Sequence, residues 1–377
     1  MRVVMIANHN PFDFPTQFEA EVLAAGWRSS APHCEVVPLA FSHCEPGSAA
    51  VWREHATRLG GFDRTAFISA CEPSRLEPAE FSRNLAEQFY VAVTSGMNRV
   101  VLALPTFLEP DAGVVFLTHL ARLIREGSPE SVSAQAQAGA VAAVADLLGP
   151  DKDTRTDELI GAVAAAREFI SRIDVVGAYA SNMPLLGMHG MSGAAALEGL
   201  MGQDQAQVRE RQVSELFHAL VPRYAALPAA RQPLGLAGAS LGGDPQASLK
   251  DLTRHDGSGA AGGLGFGLLL VGARLLPAAT VFATQFELRN QIAGAELVVI
   301  YQDKLDGRAF PDQVGHWVAQ VATEFITPVI VVCHEQIMSV RELSGQQVAS
   351  AYQVERGERA LFDRAARLAK SWTPANR

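Results

Sequence analysis

Cysteine is scarce in this chain. There are four in 377 residues (Cys34, Cys44, Cys71 and Cys333), scattered and without a Cys-x-x-Cys pair. Spacing of that kind does not suggest a disulfide framework. Basic residues are outnumbered, 31 Lys+Arg against 40 Asp+Glu for a formal net charge of −9, and they form no dense run. That balance argues against nucleic acid as the main partner. A membrane span needs ~20 nearly uninterrupted apolar residues. The most apolar stretch, GLGFGLLLVGARLLPAATVFA from Gly263, carries Arg274 and Pro277 in its middle and reads instead as a buried helix. The opening MRVVMIANHN has an apolar run too short for a secretory segment, which needs about 7–15 such residues. No internal repeat is present. These absences lead to the expectation of a cytoplasmic protein with neither a nucleic-acid nor a membrane partner.

What is present is an ordinary globular composition, 48% hydrophobic and 19% charged, in a chain longer than one core usually serves. Val3–Ala7 is a short continuous apolar run of the kind that forms a parallel strand buried on both faces. Thr16 and Glu19 have capping-box spacing, so a helix is expected from Thr16, ending before Pro32. Glu35–Leu39 reads as the next strand. The pattern returns near the C-terminus, with strands at 295–300 and 328–332 and helices at 313–325 and 356–372. Alternating strands and helices imply parallel α/β sheets. The middle is different in texture: 131–148 is alanine-rich, 157–173 reads as a helix, and 231–263 is rich in Gly, Pro and Ala and is expected to be mostly loop.

The segment GSGAAGGLGFGLLLVGARL from Gly257, the later GAELVVIYQDKLDGRAF, ASNMPLLG from Ala180 and PVIVVCH from Pro328 together resemble the bacterial class I glycerate kinases. The resemblance covers most of the chain. It implies two α/β domains in the glycerate kinase arrangement. A Rossmann-like parallel sheet would be built from 1–60 plus 285–377, and a second domain from 61–284 with extra Ala-rich helices and a ligand cleft between the two. It also implies transfer of the γ-phosphoryl of Mg·ATP to glycerate. Many polar motifs of that family are replaced here. Its DSFK-like loop falls on His9-Asn10-Pro11-Phe12, its DGGEGT on His43-Cys44-Glu45-Pro46-Gly47-Ser48, and its GGSATNDGG on Pro105 to Gly113, where only Asp111 and Gly113 survive. Its GEGR loop falls on Tyr301-Gln302-Asp303-Lys304, with Asp306 and Gly307 retained. Phosphoryl transfer depends on positioning, on carboxylates that hold Mg²⁺, and on backbone N–H groups and cations around phosphate.

Two readings of function therefore stay open. One is a pseudokinase with a binding or regulatory role. The other is an ATP-dependent glycerate 2-kinase, or a kinase for a related small hydroxy acid, with a rebuilt site. In the second, Asp111, Asp306 and Lys304 would be the catalytic remnants. The ligand would be held by Gly257, Gly259, Gly262, Gly263, Gly113 and Gly307. Against this, the glycines also suit close packing, the acids suit loop caps, and Lys304 suits a solvated loop. Phe12, Phe107, Leu108 or Tyr301 would fill the cleft of a pseudokinase. One constellation does not come from the resemblance. His9, His43 and His334 each follow an expected parallel strand, near Cys44, Glu45, Cys333 and Glu335. That edge of an open sheet is where ligands gather, and these residue types suit metal or acid–base chemistry. Hydrogen-bonded loop residues are the plainer alternative. The Ala-rich helices offer packing or a face for a homo- or hetero-oligomer.

Overall fold

The computed structural model describes residues 1–10, 14, 18–69, 78–106, 111–127, 152–228, 245–307 and 313–374. The chain divides into two compact units, Met1–Gly61 with Ala278–Arg377, and Phe62–Pro277. The parallel α/β architecture expected from the alternation is present in both.

Unit 1 is a five-stranded parallel sheet. Its strands are β1 (Arg2–Asn8), β2 (Glu35–Phe41), β7 (Leu297–Leu305), β8 (Val329–Gln336) and β9 (Ser350–Gln353), in the spatial order β2-β1-β7-β8-β9. The interior strands are continuous apolar runs: Val3, Val4, Met5 and Ile6 are fully buried, as are Leu297, Val298, Val299 and Ile300. Such runs are what a sheet covered on both faces requires. On one face the helices Glu19–Ser30 and Glu358–Trp372 pack together around Leu23, Trp27, Leu361 and Leu368. Elsewhere in the unit Phe41 and Trp52 meet Phe282 and Phe286 edge-on, and the last two stack on each other, in one aromatic cluster. The chain order reverses between β1 and β7: β1 leads outward to β2, and β7 leads the other way to β8 and β9. A reversal of that kind opens a crevice at the carboxyl ends of the two strands.

Unit 2 has a four-stranded parallel sheet, β3 (Thr65–Ser69), β4 (Arg99–Leu104), β5 (Asp174–Tyr179) and β6 (Arg274–Pro277), in sequential order. Its helices include Pro78–Thr94, Val114–Glu126, Lys152–Phe169 and Gln203–Ala225.

Several local expectations are revised. The helix after β1 begins at Glu19, not Thr16, with Phe18 at its cap position and no side-chain capping bond; Thr16 lies outside the described residues. It ends at Ser30, before Pro32. The apolar stretch from Gly263 is not one helix. It is a helix (Leu264–Leu270), a turn at Gly272 with φ +90°, the strand β6, and a second helix (Ala278–Gln285). Arg274 opens β6 because its guanidinium grips Asp174 at the start of β5, at 2.7 and 2.8 Å. The region read as mostly loop holds a helix at Pro245–Arg254. The helix expected over 157–173 is Lys152–Phe169. The alanine-rich 131–148 lies outside the described residues. Among the described residues no helix is long and apolar enough to cross a membrane.

Candidate functional site

The crevice between β1 and β7 holds a pocket of about 380 Å³, lined from β1 and its continuation by Asn8, His9 and Asn10, and from the loop after β2 by His43, Glu45 and Pro46. From β7 come Tyr301 to Lys304, and from the start of the helix Val314–Glu324 come Gln313 and Val314.

His9 carries the most developed geometry. Its backbone N–H donates to the Phe41 carbonyl at 2.8 Å, which extends the β1–β2 pairing by one residue. Its Nδ1 lies 3.0 Å from Oε2 of Glu19. Glu19 is fully buried, and its other oxygen accepts the Asn10 N–H at 2.7 Å. The Phe18 ring meets the imidazole edge-on at 4.6 Å. With a carboxylate as acceptor, Nδ1 carries the proton and Nε2 is the ring nitrogen left for a ligand. The late start of the helix has its reason here. Glu19 holds the β1 loop instead of capping its own helix.

Around this dyad the lining is rich in acceptors. Asn8 donates its Nδ2 to Glu45 at 2.8 Å, and its buried Oδ1 has no partner among the described residues. Gln302 is 4% exposed. Its amide donates to the Lys304 carbonyl and to Gln313, each at 2.9 Å, and leaves Oε1 buried without a partner among the described residues. Glu45 as a residue is exposed. Even so, protein packed around its carboxylate raises its pKa, with Asp303 and Glu19 pushing the same way and the Asn8 bond opposing; solvent screening limits what that shift is worth. Asp303 pairs with Arg356 at 2.7 Å. Lys304 is the one Lys or Arg among the described lining residues, and it sits 3.8 Å from Asp306 and 3.9 Å from Glu335. The loop after β2 is strained: Cys44 is buried with φ +57°, a conformation that costs a residue with a side chain about 1 kcal/mol or more.

The three sheet-edge histidines do not form one group. His9 and His43 line the pocket. His334 is not after a strand, because β8 runs on to Gln336. Its Nδ1–H donates to the Val354 carbonyl at 2.8 Å, and its Nε2 accepts from the Tyr301 hydroxyl at 2.6 Å. Both nitrogens are occupied in holding β7 to the chain after β9. Cys333 is a buried thiol, its pKa pushed up to about 11 by burial and then by Asp303, so it is no nucleophile near neutral pH.

Asp111 and the glycines, all but Gly307, lie in unit 2. Asp111 is 7% exposed and accepts the N–H groups of Gly113 (2.8 Å) and Val115 (3.2 Å) at the start of the helix Val114–Glu126. In the segment from Gly257, the N–H groups of Ser258, Gly259, Ala260, Ala261, Gly263, Gly265 and Phe266 all donate to backbone carbonyls, among them those of Met183 and Pro105. A phosphate cradle needs such groups free. Gly257 has φ +79°, and a Cβ there would run into the Tyr179 ring; at Gly263, φ +86°, it would lie 2.7 Å from the Ala112 Cα. The segment is a close-packed junction. Gly262, also at positive φ, accepts the Ala112 N–H through its carbonyl. Gly307 is in unit 1 beside Glu342, where a Cβ has ordinary room. Phe12, Phe107 and Leu108 lie outside the described residues; Tyr301 is in the unit 1 pocket. In the sequence Glu19 stands out only as a capping residue, and Asn8 and Gln302 do not stand out at all. An acid ten residues after a histidine carries no recognisable spacing.

A sequence model described as the glycerate kinase family matches residues 153–375. The chain belongs to the glycerate kinase family. Two uncharacterized proteins, from Mycobacterium bovis and Mycobacterium tuberculosis, are each 27% identical over 232 residues, 61% of this chain and 55% of theirs. The chain thus spans about half the length of the curated relatives it matches. The crystal structure of a candidate glycerate kinase 2 from Salmonella typhimurium superposes with a TM-score of 0.61 over 98% of both chains at 15% identity, which shows that the fold is shared. The family match includes Tyr301 to Lys304 but not Asn8 to Pro46, so the dyad lies outside it. Of the described lining residues, Glu45 and Asp303 are acids of the kind that holds Mg²⁺, and Lys304 is the one cation that a triphosphate would meet. Among the described residues no three His, Cys, Asp or Glu side chains are placed to hold a metal ion.

Proposed function

We propose that this member of the glycerate kinase family is a pseudokinase, one that keeps the fold and binds a small hydroxylated molecule in the unit 1 pocket in a binding or regulatory role. One observation carries the reading. Among the described lining residues two acids, Glu45 and Asp303, stand against one cation, Lys304, and His9 keeps Nε2 for a ligand. Such a lining suits hydroxyl donors and offers a polyphosphate a single cation. Asp111 supports the reading, since both its oxygens are taken up at a helix start.

The second reading, an ATP-dependent kinase acting on D-glycerate or a related small hydroxy acid, is favoured by one specific feature. The buried Glu19 orients His9 as a base orienter would, and a base so held can take the proton of an attacking hydroxyl. The deciding experiment incubates concentrated protein with Mg·ATP and D-glycerate beside an active glycerate kinase. The expected result is no phosphoglycerate above the uncatalysed rate. Turnover in the parent that disappears in His9→Asn sinks the pseudokinase reading and establishes the second.

A further inference from the structure

The helical layer of unit 2 contains a separate pocket of about 490 Å³ between the helices Pro78–Thr94, Val114–Glu126 and Lys152–Phe169. Three arginines line it: Arg83 from the first helix, and Arg122 and Arg125 from the second. Glu158 is the one acid among its described lining residues, and it is exposed. Arg125 is largely in solvent, 3.8 Å from Glu126. Arg83 and Arg122 differ from it. Both are half-buried, and neither has a hydrogen bond or ion pair among the described residues.

His119 lies at the base of the same pocket, buried, with Nε2 3.2 Å from Glu87. Burial lowers its proton affinity and Glu87 opposes; Arg122 and Arg83 both add to the lowering. The two guanidiniums line one pocket from two different helices. Two half-buried cations lining one pocket, neither paired with a carboxylate among the described residues, carry a desolvation cost and repel each other. An anion relieves both costs. The planar fork of arginine matches the oxygens of phosphate. The opposite wall is made of small residues, Ala162 and Ala165, which leaves room for a carbon skeleton. The volume falls in the range of small-molecule pockets and exceeds what one phosphate fills.

We propose that this pocket binds a small organic phosphate, its phosphoryl oxygens held by Arg83 and Arg122 and its carbon skeleton set against Ala162 and Ala165. The site is independent of the unit 1 pocket and of whether that pocket supports turnover.

Calorimetry on the full chain tests this with inorganic phosphate and glycerol 3-phosphate as probes, against sodium chloride at matched ionic strength. Both probes are expected to bind, glycerol 3-phosphate the more tightly. Arg83→Gln and Arg122→Gln should each weaken both by about tenfold, and the double variant by on the order of a hundredfold. Arg359→Gln in unit 1 should change neither. Unchanged affinity in the single variants, or a heat no larger than that of chloride, overturns the proposal. Ala165→Met tests the skeleton wall without removing charge. It should weaken glycerol 3-phosphate and spare inorganic phosphate; equal effects on the two overturn the placement of the skeleton.

Discussion

Lowering the pH should destabilise unit 1 through one residue, His55. It is fully buried in the helix Ser48–Leu59. Its Nε2–H donates to the Ala40 carbonyl at 2.7 Å, and its Nδ1 accepts from the Arg58 guanidinium at 2.7 Å. The ring stacks flat on Phe286, with centroids 3.7 Å apart. Both nitrogens are used in the neutral form, so Glu54, 3.6 Å away, is a neighbour and not an ion-pair partner. A second proton would displace the Arg58 bond and face that cation. Burial first, and Arg58 in addition, lower the pKa from 6.5 to about 4, against the Ala40 bond. The folded pKa lies below the unfolded one, so the unfolded chain takes the proton first. The contribution is intact above pH 6.5, is lost as the pH falls from 6.5 to about 4, and then levels off. At about 1.4 kcal/mol per pKa unit, the loss is about 3 kcal/mol. All four tryptophans (Trp27, Trp52, Trp317 and Trp372) belong to unit 1, so urea unfolding followed by tryptophan fluorescence reads this unit alone. The parent should exceed His55→Gln at pH 7 by about 2 kcal/mol, and the gap should close by about that amount at pH 4.5. An equal gap at the two pH values refutes the reasoning.

Two further predictions concern unit 2. Asp111→Ala removes the acceptor of two buried N–H groups and should cost about 1–2 kcal/mol, with faster amide exchange at Gly113 and Val115; unaltered exchange there would contradict the capping role. Gly257→Ala drives a Cβ into Tyr179 at positive φ and should cost about 3 kcal/mol, measured by urea unfolding followed by far-UV circular dichroism. A loss under about 1 kcal/mol would mean that the junction is looser than its contacts indicate.

Much of unit 1 was legible because its strands are uninterrupted apolar runs between helix-period segments. Val3–Ala7, 295–300 and 328–332 all fall in or overlap observed strands, and Pro32 marks where the first helix has already ended. The stretch from Gly263 is not legible in this way, because an apolar run has no period to tell a buried strand from a buried helix. What breaks it is the positive φ at Gly272 and the pull of Asp174 on Arg274, a partner 100 residues away. The candidate site was legible only in part. His9 and His43 were placed by the rule that loops after parallel strands meet at one edge. Glu19, Asn8 and Gln302 were not, because their roles depend on which groups they face across the sheet.

By itself, then, the sequence determined the parallel α/β class, the main strands of the first sheet and the family scaffold. Local propensity and hydrophobic pattern act over a few residues and are readable there. Only the tertiary structure decided that Glu19 holds His9 and not its own helix, that His334 is spent on Tyr301 and Val354, that the glycine segment turns its N–H groups inward, and that Arg83 and Arg122 share one pocket. Each of these is a choice of partner between residues that folding alone brings together, and hydrogen bonds and charges take their meaning from that distance.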